Sequence, residues 1–311
     1  MKRILALLVF VAPMLVNGAQ EERFNTSDEA INALKAAAEN KDTNALNAIF
    51  GPALGRLASP DSVQASNGLA VLSHRMSERV SPRAKSDLMV ILDIGNDVWP
   101  FPIPLVKEEG RWHFDTEAGE EEILNRRIGR DELATIRVCH AYVDAQREYA
   151  STDRQGDGII QYAQHLRSTP AIHDGLYWHT EAGEEMSPFG PLIAEAHTEG
   201  YSHETTIMTD TQKPYHGYYF KVLTRQGPHA PGGKYNYIIN GHMVAGFALV
   251  AWPAEWDNSG VMTFIVNQEG KVYQANLGVK TASIASRMTT YDPDSRWRPA
   301  EMPNDFTVKS P

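Results

Sequence analysis

The stretch from residue 214 to residue 278 constrains the fold most, because it predicts five short strands joined by glycine-rich turns. It begins PYHGYYFKVLTRQG, turns through PHAPGGKYNYIINGHM and closes with AGFALVAWPAEWDNSGVMTFIVNQEGKVYQANLG. None of these segments has a pattern that is typical of reaction chemistry. The stretch therefore predicts an antiparallel β-sheet that presents a surface to solvent.

The composition limits the class of protein. A chain of 311 residues, 42% hydrophobic and 22% charged, has enough apolar material for the cores of two domains. A net charge of −10 disfavours binding to nucleic acid or to an anionic membrane. The single cysteine, Cys139, leaves no internal disulfide, and its place in a helical pattern predicts a buried small hydrophobic residue.

The first residues predict export. Lys2 and Arg3 precede an apolar run over residues 4–16, and the small residues Gly18 and Ala19 follow it. A run of this length is shorter than the roughly 20 residues that a membrane-spanning helix needs. Residues 1–19 are therefore predicted to be a signal peptide that is cleaved on export to the periplasm, leaving no transmembrane segment.

Residues 26–130 predict a first domain of helices followed by strands. Thr26, Ser27 and Asp28 are N-cap candidates for a first helix, and Thr43 is one for a second.

The strands of this domain are predicted from two apolar runs and a turn. Residues 87–95 predict a buried strand, and residues 99–106, with proline at every second position, predict an edge strand. Residues 108–110 then turn the chain into a hairpin with Arg111–Phe114. This pattern over residues 27–114 resembles the cone fold of the nuclear-transport-factor-2-like family, which implies a helix-plus-curved-sheet domain that can hold a ligand pocket.

Residues 131–290 predict a second domain. It opens with a helix over residues 131–150, followed by a glycine-bearing loop and a short helix over residues 159–166. A short strand near residues 175–178 and the five-strand region come next. Residues 291–311, with four prolines, predict an irregular C-terminal tail.

One loop is a weak candidate for binding calcium. Asp153, Gln155 and Asp157 place oxygen ligands at alternate positions, and Gly158 follows where such loops turn sharply. The twelfth position is Gln164, where tight calcium loops have a bidentate glutamate, so any calcium affinity is expected to be low.

Motifs of common enzymes are missing from the sequence. It contains no HExxH, GxSxG, GxxxxGK[ST] or GxGxxG pattern, so no catalytic residue and no cofactor-binding residue is predicted and the sequence favours a protein that is not an enzyme. Aromatic and histidine side chains are dense in the C-terminal sheet region. Those that predict a contact or pocket surface are Tyr215, His216, Tyr218, His242, Trp252 and Trp256.

Several segments carry a family resemblance. DAQREYAS, STPAIHDGLYW, PYHGYYFKVLTRQGPHAPGG, the closing stretch of the sheet region and MTTYDPDSRW closely resemble an uncharacterised bacterial envelope family, catalogued as domain of unknown function 2950, over nearly the whole mature chain. The AQREY helix end, the GYYF strand and the SGVMTFIVNQEGKVY hairpin also resemble the globular heads of type IV pilins and pseudopilins. The first resemblance implies an envelope protein. The second implies a pilin-head-like domain, with an N-terminal helix and an antiparallel sheet, that acts as a contact surface.

Together these patterns predict an α+β protein of two domains, the first cone-like and the second pilin-head-like. The leading hypothesis is a periplasmic, non-enzymatic module that contacts an unidentified protein partner in envelope assembly or maintenance. The alternative is a small-ligand-binding protein or hydrolase that uses the cone pocket or a mouth around Tyr215, His216 and His242. A third hypothesis is a structural module held by calcium at Asp153 and Asp157.

Overall fold

The structure is a computed structural model that describes residues 21–57, 59–180, 183–201 and 213–300. These residues divide into two compact units. The first comprises the described residues up to Arg56 together with Ser73–Glu120, and the second comprises Leu57–Leu72 and the described residues from Glu121 onward. The predicted domain boundaries at residues 130 and 290 stay predictions. The predicted signal peptide lies outside the described residues.

Capped helices open the first unit. They are α1 (Ser27–Glu39), α2 (Thr43–Phe50) and α3 (Ser62–Glu78), the last divided between the two units. The hydroxyl of Thr26 accepts the N–H of Glu29 at 3.2 Å, which confirms Thr26 as the first N-cap. The second cap is Asp42 and not the predicted Thr43, because the Asp42 carboxylate accepts two backbone N–H groups of the next turn at 3.0 Å each.

Five strands complete the first unit: β1 (Val80–Ser86), β2 (Met89–Ile94), β3 (Trp99–Pro100), β4 (Leu105–Glu108) and β5 (Arg111–Phe114). They form an antiparallel sheet in the order β1-β2-β4-β5, with β3 also paired to β2. Glu109 and Gly110 have φ values of 51° and 82° and turn β4 into β5, which confirms the predicted hairpin. The rings of Phe50, Phe101 and Phe114 pack together in the core, with centroids 5.6, 6.1 and 6.3 Å apart.

The proline-containing segment does not form the strand that the sequence predicts. The N–H of Phe101 still donates to the carbonyl of Leu92 on β2 at 2.7 Å, but residues 102–104 leave the sheet before β4. Because β4 lies between β2 and β5, the predicted edge strand over 99–106 is wrong. Pro102 and Pro104 have no N–H to donate to a ladder, while Phe101 and Ile103 gain more by burying their side chains, which are 6% and 3% exposed.

A helix of 34 residues, α4 (Thr116–Tyr149), begins 15 residues before the predicted start, and the division between the units falls within it. Its first turn is capped by Asp115, whose carboxylate accepts the N–H of Ala118 at 3.0 Å. Cys139 lies on its buried face, as predicted, and burial raises the pKa of the thiol to about 12. Among the described helices, none combines the length and the apolar character that crossing a membrane requires.

The second unit continues with many short elements. In chain order they are β6 (His165–Arg167), β7 (Gly175–Tyr177), α5 (Gly190–Thr198), β8 (Tyr218–Leu223), β9 (Arg225–Gln226), β10 (Tyr235–Asn236), β11 (Ile238–Ile239), β12 (His242–Met243), β13 (Ala248–Pro253), β14 (Thr263–Asn267), β15 (Tyr273–Ala275), α6 (Thr281–Ala285), β16 (Thr290–Tyr291) and β17 (Arg298–Pro299).

The main sheet of this unit has five antiparallel strands in the order β17-β15-β14-β13-β8. Every residue of the central strands β13 and β14 is buried. Helix α4 packs on the sheet through Tyr142, whose hydroxyl donates to the carbonyl of Ala248 at 3.1 Å and whose ring lies 5.6 Å from that of Phe247. Smaller ladders join β9 to β10, β9 to β16, β11 to β12 and β6 to β7, and of these the β9–β16 and β6–β7 pairs are parallel. Helices with several sheets confirm the α+β class.

The predicted short helix over residues 159–166 is wrong. The amide of Gln146 on α4 donates to the carbonyl of Ala163 at 2.8 Å and accepts its N–H at 2.9 Å, while the N–H of Tyr162 donates to the carbonyl of Met243 at 2.8 Å. These bonds use the backbone groups that a helix would need, so the segment is extended.

The C-terminal tail differs from the sequence expectation as far as the structure describes it. Tyr291 in β16 and Trp297 are buried, and β17 forms the edge of the main sheet. Two large aromatic side chains therefore anchor the described part of the tail, up to residue 300. Residues 301–311 lie outside the described residues.

Candidate functional site

A small cavity of about 120 Å³ in the second unit is lined by several charged side chains. Its apolar wall comes from one face of α4, where Ala134, Val138 and Ala141 follow helical spacing, and from Leu192 on α5. Its polar lining consists of Arg137, Glu195, Glu199, Tyr215 and His216. Helix α4, helix α5 and the turn before β8 thus all contribute to one small site.

An imidazole–carboxylate pair forms part of the wall. The Nε2 atom of His216 lies 3.0 Å from an Oε2 atom of Glu199, and only 16% of the His216 side chain is exposed. His216 has a φ of 46° and Gly217 a φ of 71°, so the two residues make a tight turn between the bridged residues Tyr215 and Tyr218. A histidine in this left-handed conformation is strained, and such strain is concentrated at functional sites.

Gly217 is required by its surroundings as well as by its backbone conformation. A Cβ atom at this position would lie 2.7 Å from the Cβ of Ser259 and 3.0 Å from Oδ2 of Asp131. The turn can therefore approach the buried carboxyl group only because residue 217 has no side chain.

Asp61 and Tyr201 support the turn from behind. The Tyr201 hydroxyl donates to Oδ2 of Asp61 at 2.7 Å, and the N–H groups of His216 and Gly217 lie 3.4 Å from the Tyr201 hydroxyl and from Asp61 Oδ2 respectively. The other oxygen of Asp61 caps α3 by accepting the N–H groups of its first turn at 3.0 and 3.3 Å. The rings of Tyr201 and Tyr215 are 4.9 Å apart, so the support is packed as well as hydrogen-bonded.

Asp131 is a fully buried carboxyl group beside this turn. Its Oδ1 atom accepts from Nε2 of Gln64 at 2.9 Å and from Nε of Arg130 at 3.2 Å, whereas Oδ2 has no hydrogen-bond partner among the described residues. Burial raises the pKa of Asp131 to about 6, against the opposing effects of Arg130 and Gln64. Such a group destabilises the fold at neutral pH, which is typical of sites that serve function.

Carboxylate groups outnumber the guanidinium group in the cavity lining. Burial raises the pKa of the Tyr215 phenol above its ordinary value, and the carboxylates of Glu199 and Glu195 raise it further, while Arg137 opposes them less strongly. Glu195 and Arg137 are exposed at the rim, and Tyr215 is buried at the base. A group that enters the cavity therefore meets carboxylates near a buried aromatic ring.

The structure separates the six residues predicted to form a contact or pocket surface. Tyr215 and His216 line the cavity, whereas Tyr218 is fully buried and its hydroxyl donates to the carbonyl of Met262 at 2.9 Å. Trp252 is 9% exposed and packs on Tyr219, and Trp256 is partly exposed with its indole N–H donated to Asn276 at 3.0 Å.

His242 does not line this cavity. Its Nδ1 atom lies 3.5 Å from Oδ2 of Asp157, in the loop that is the calcium candidate. The mouth that the sequence predicts around Tyr215, His216 and His242 is therefore formed only by the first two.

The calcium candidate loop is satisfied by its own backbone. The Asp153 carboxylate accepts the N–H groups of Gly158, Gly156 and Gln155 at 2.7, 2.8 and 3.2 Å, which lowers the pKa of Asp153. Oδ1 of Asp157 accepts the N–H of Ile159 at 2.9 Å. Within the described ranges, no group of three or more His, Cys, Asp or Glu side chains is placed to hold a metal ion.

We expect the melting temperature of the purified protein to be the same in millimolar calcium and in excess chelator. Binding of calcium to the folded chain alone would raise the melting temperature, because ligands that bind only the native state stabilise it. The calcium site at Asp153, Gln155 and Asp157 stays a hypothesis until this comparison is made. A higher melting temperature in calcium than in chelator, with no such difference in Asp153→Asn, would establish the site.

Sequence reasoning missed six polar members of the site and its support: Asp61, Asp131, Arg137, Glu195, Glu199 and Tyr201. A signal for Asp131 is present, since it stands on the same helical face as the buried residues Thr135, Val138 and Tyr142. A carboxyl group on the apolar face of an amphipathic helix needs a buried partner or a function.

The fold and this cavity define a two-unit α+β protein with a small cavity lined by charged side chains in the larger unit. The chain belongs to the family described as protein of unknown function DUF2950, whose model matches residues 21–300. No curated protein and no solved structure matches the chain significantly. The resemblances to pilin heads and to nuclear-transport-factor-2-like cones stay predictions.

Proposed function

We propose that this chain is an exported, non-catalytic binding protein of the bacterial envelope, and that its second unit contacts a partner protein through the cavity at His216 and Glu199. The observation that carries the proposal is the strained, largely buried His216 held 3.0 Å from Glu199 in the cavity wall. Together with the buried Asp131, this turn lowers stability, and proteins retain such features where activity or binding needs them.

The size of the cavity supports a macromolecular partner. Pockets that enclose a whole small molecule occupy about 300–1,000 Å³, and a cavity of about 150 Å³ holds one benzene ring. A cavity of about 120 Å³ therefore takes a single chemical group, and the remainder of its ligand lies outside. A side chain presented by a protein partner fits this arrangement.

Export rests on the sequence. Lys2 and Arg3 before the apolar run of residues 4–16 are typical of a signal peptide, and the small residues at 18 and 19 offer a cleavage point. The net charge of −10 disfavours nucleic acid as the partner.

The second candidate function is a small-ligand-binding protein or hydrolase that uses the same cavity. The His216–Glu199 pair favours it, because a carboxylate that orients an imidazole is a common arrangement for general-base catalysis. Turnover of an ester or amide substrate by the wild type, lost in His216→Asn, would support the hydrolase over the contact module.

The test is chemical cross-linking of the tagged full chain in intact cells, followed by release of the periplasm. We expect the wild type in the periplasmic fraction with one partner at fixed stoichiometry, and loss of that partner in Glu199→Gln and His216→Asn. Asparagine is chosen at 216 because it tolerates the left-handed backbone. Glu269→Gln, an equal charge change at an exposed residue of the β14–β15 turn, serves as the control and should retain the partner.

Equal recovery of the partner by all variants would show that it contacts another surface. Absence of the wild-type protein from the periplasmic fraction would overturn the proposed periplasmic location.

A further inference from the structure

We propose that the cavity receives a primary ammonium group on an alkyl chain, such as the side chain of a lysine on the partner. This inference rests on the proposed function in that the lysine belongs to the partner, but the chemistry can be tested with the purified chain alone. It depends on the charge, the partly exposed Glu199 carboxylate, the aromatic rings and the apolar wall of the site.

The balance of charge favours a cation. Glu195 and Glu199 stand four residues apart on and just after α5, so they face the same side, and both line the cavity. Arg137 supplies one positive charge against these two carboxylates. The effects on Tyr215 point the same way, since the two glutamates outweigh the arginine there.

The Glu199 carboxylate is open to a further donor. Its Oε2 atom is buried beside Nε2 of His216, 3.0 Å away, but the Glu199 side chain as a whole is 36% exposed and lines the cavity. An ammonium group carries three donors, so one that enters the cavity can bond to this carboxylate.

The remaining lining fits an alkylammonium group. The rings of Tyr215 and His216 lie 4.3 Å apart at 66° and offer aromatic surface beside the carboxylates, where a cation is attracted to the π face. Ala134, Val138 and Leu192 provide an apolar wall for methylene groups. A lysine side chain presents both parts, with an apolar stem and a charged end.

The experiment titrates n-butylammonium into the mature full chain and follows binding by calorimetry or by NMR shifts. Three compounds with the same butyl chain or chain length serve as comparisons: n-butanol, butyrate and n-butylguanidinium. We expect n-butylammonium to bind about tenfold more tightly than any of them, because n-butanol lacks the positive charge, butyrate carries the opposite charge, and the guanidinium group is bulkier than the compact ammonium group in a cavity of about 120 Å³. Binding should weaken as salt is raised.

Matched variants place the binding at the cavity. Glu199→Gln should weaken n-butylammonium binding about tenfold and Glu195→Gln severalfold, whereas Arg137→Gln should strengthen it by removing a like charge. Glu269→Gln should leave it unchanged. Melting temperatures identify any variant that fails to fold, and the comparison among the four compounds on the wild type does not depend on a variant.

Equal binding of n-butanol or of n-butylguanidinium would overturn the ammonium assignment, as would unchanged affinity in Glu199→Gln. A peptide with one lysine should compete with n-butylammonium, and the same peptide with that lysine acetylated should not. If n-butylammonium binds but the lysine peptide does not compete with it, the site is assigned to free amines. If n-butylammonium binds but partner capture survives in Glu199→Gln, the proposed function fails and this inference stands. If partner capture depends on Glu199 but n-butylammonium does not bind, the proposed function stands and this inference fails.

Discussion

Replacing Asp131 with asparagine is expected to stabilise the protein at pH 8 and to leave its stability unchanged near pH 3.5. Burial raises the pKa of Asp131 from 3.8 to about 6 in the folded chain. A proton is therefore bound more tightly by the folded state, and stability falls as pH rises from about 4 to about 6. Above that window the loss is about 3 kcal/mol, from 1.36 kcal/mol for each pKa unit. Asparagine stays neutral and avoids this loss.

Urea unfolding at both pH values measures the effect. Asp144→Asn on the same helix is the matched control, since its carboxylate is exposed and lies 3.5 Å from Arg147 in a surface pair that contributes little. We expect the control to change the free energy of unfolding by less than about 0.5 kcal/mol at either pH. Destabilisation of Asp131→Asn at pH 8 would contradict the account, because it would mean that Arg130 and Gln64 compensate fully for burial of the charge.

Gly175→Ala is expected to be among the most damaging single substitutions in the second unit. A Cβ atom on Gly175 would lie 2.4 Å from the carbonyl carbon of Arg167 and 2.5 Å from the backbone nitrogen of Ser168. These are backbone atoms of the paired strand β6 and the residue after it, so no side chain can rotate away. The Ser168 hydroxyl also donates to the Gly175 carbonyl at 3.1 Å and accepts its N–H at 3.0 Å. Separation of β6 and β7 should lower the free energy of unfolding by about 3 kcal/mol.

Gly129→Ala is the paired control for this substitution. Gly129 stands inside α4 with nothing within 4 Å of its added Cβ, so alanine should raise helix stability by up to about 1 kcal/mol. The two glycine substitutions should therefore shift the melting temperature in opposite directions. A loss in Gly175→Ala no larger than about 0.5 kcal/mol would show that β6 and β7 separate easily.

Local signals predicted the parts of the fold that depend on neighbouring residues. Short patterns predicted the N-cap at Thr26, the hairpin at Glu109 and Gly110, and the buried position of Cys139 on its helix. They could do so because capping, turn chemistry and helical spacing act over a few residues. The α+β class followed from the same signals.

Parts decided by distant contacts could not be predicted. Residues 159–166 have a helical pattern, but Gln146 and Met243 bind their backbone groups and hold the segment extended. Pro102 and Pro104 gave an edge-strand pattern, yet burial of Phe101 and Ile103 draws that segment out of the sheet. Tertiary contacts outweigh local propensity in both cases.

The site shows the same limit. Tyr215 and His216 were found because they stand in an aromatic-rich run, whereas the hydrogen bond from Tyr201 to Asp61 joins residues 140 positions apart. No short pattern connects those residues. The cavity became visible only when α4, α5 and the turn at His216 were placed together.

Site-specific photo-cross-linking in living cells tests the central claim most directly. A photoreactive residue at Ala141, which lines the cavity and is partly exposed, is compared with one at Val279, which is 80% exposed and lies outside the cavity lining. The account predicts one discrete periplasmic protein cross-linked from Ala141, absent when Glu199→Gln is added, and no such product from Val279. The same product from Val279, or an undiminished product in Glu199→Gln, would contradict it.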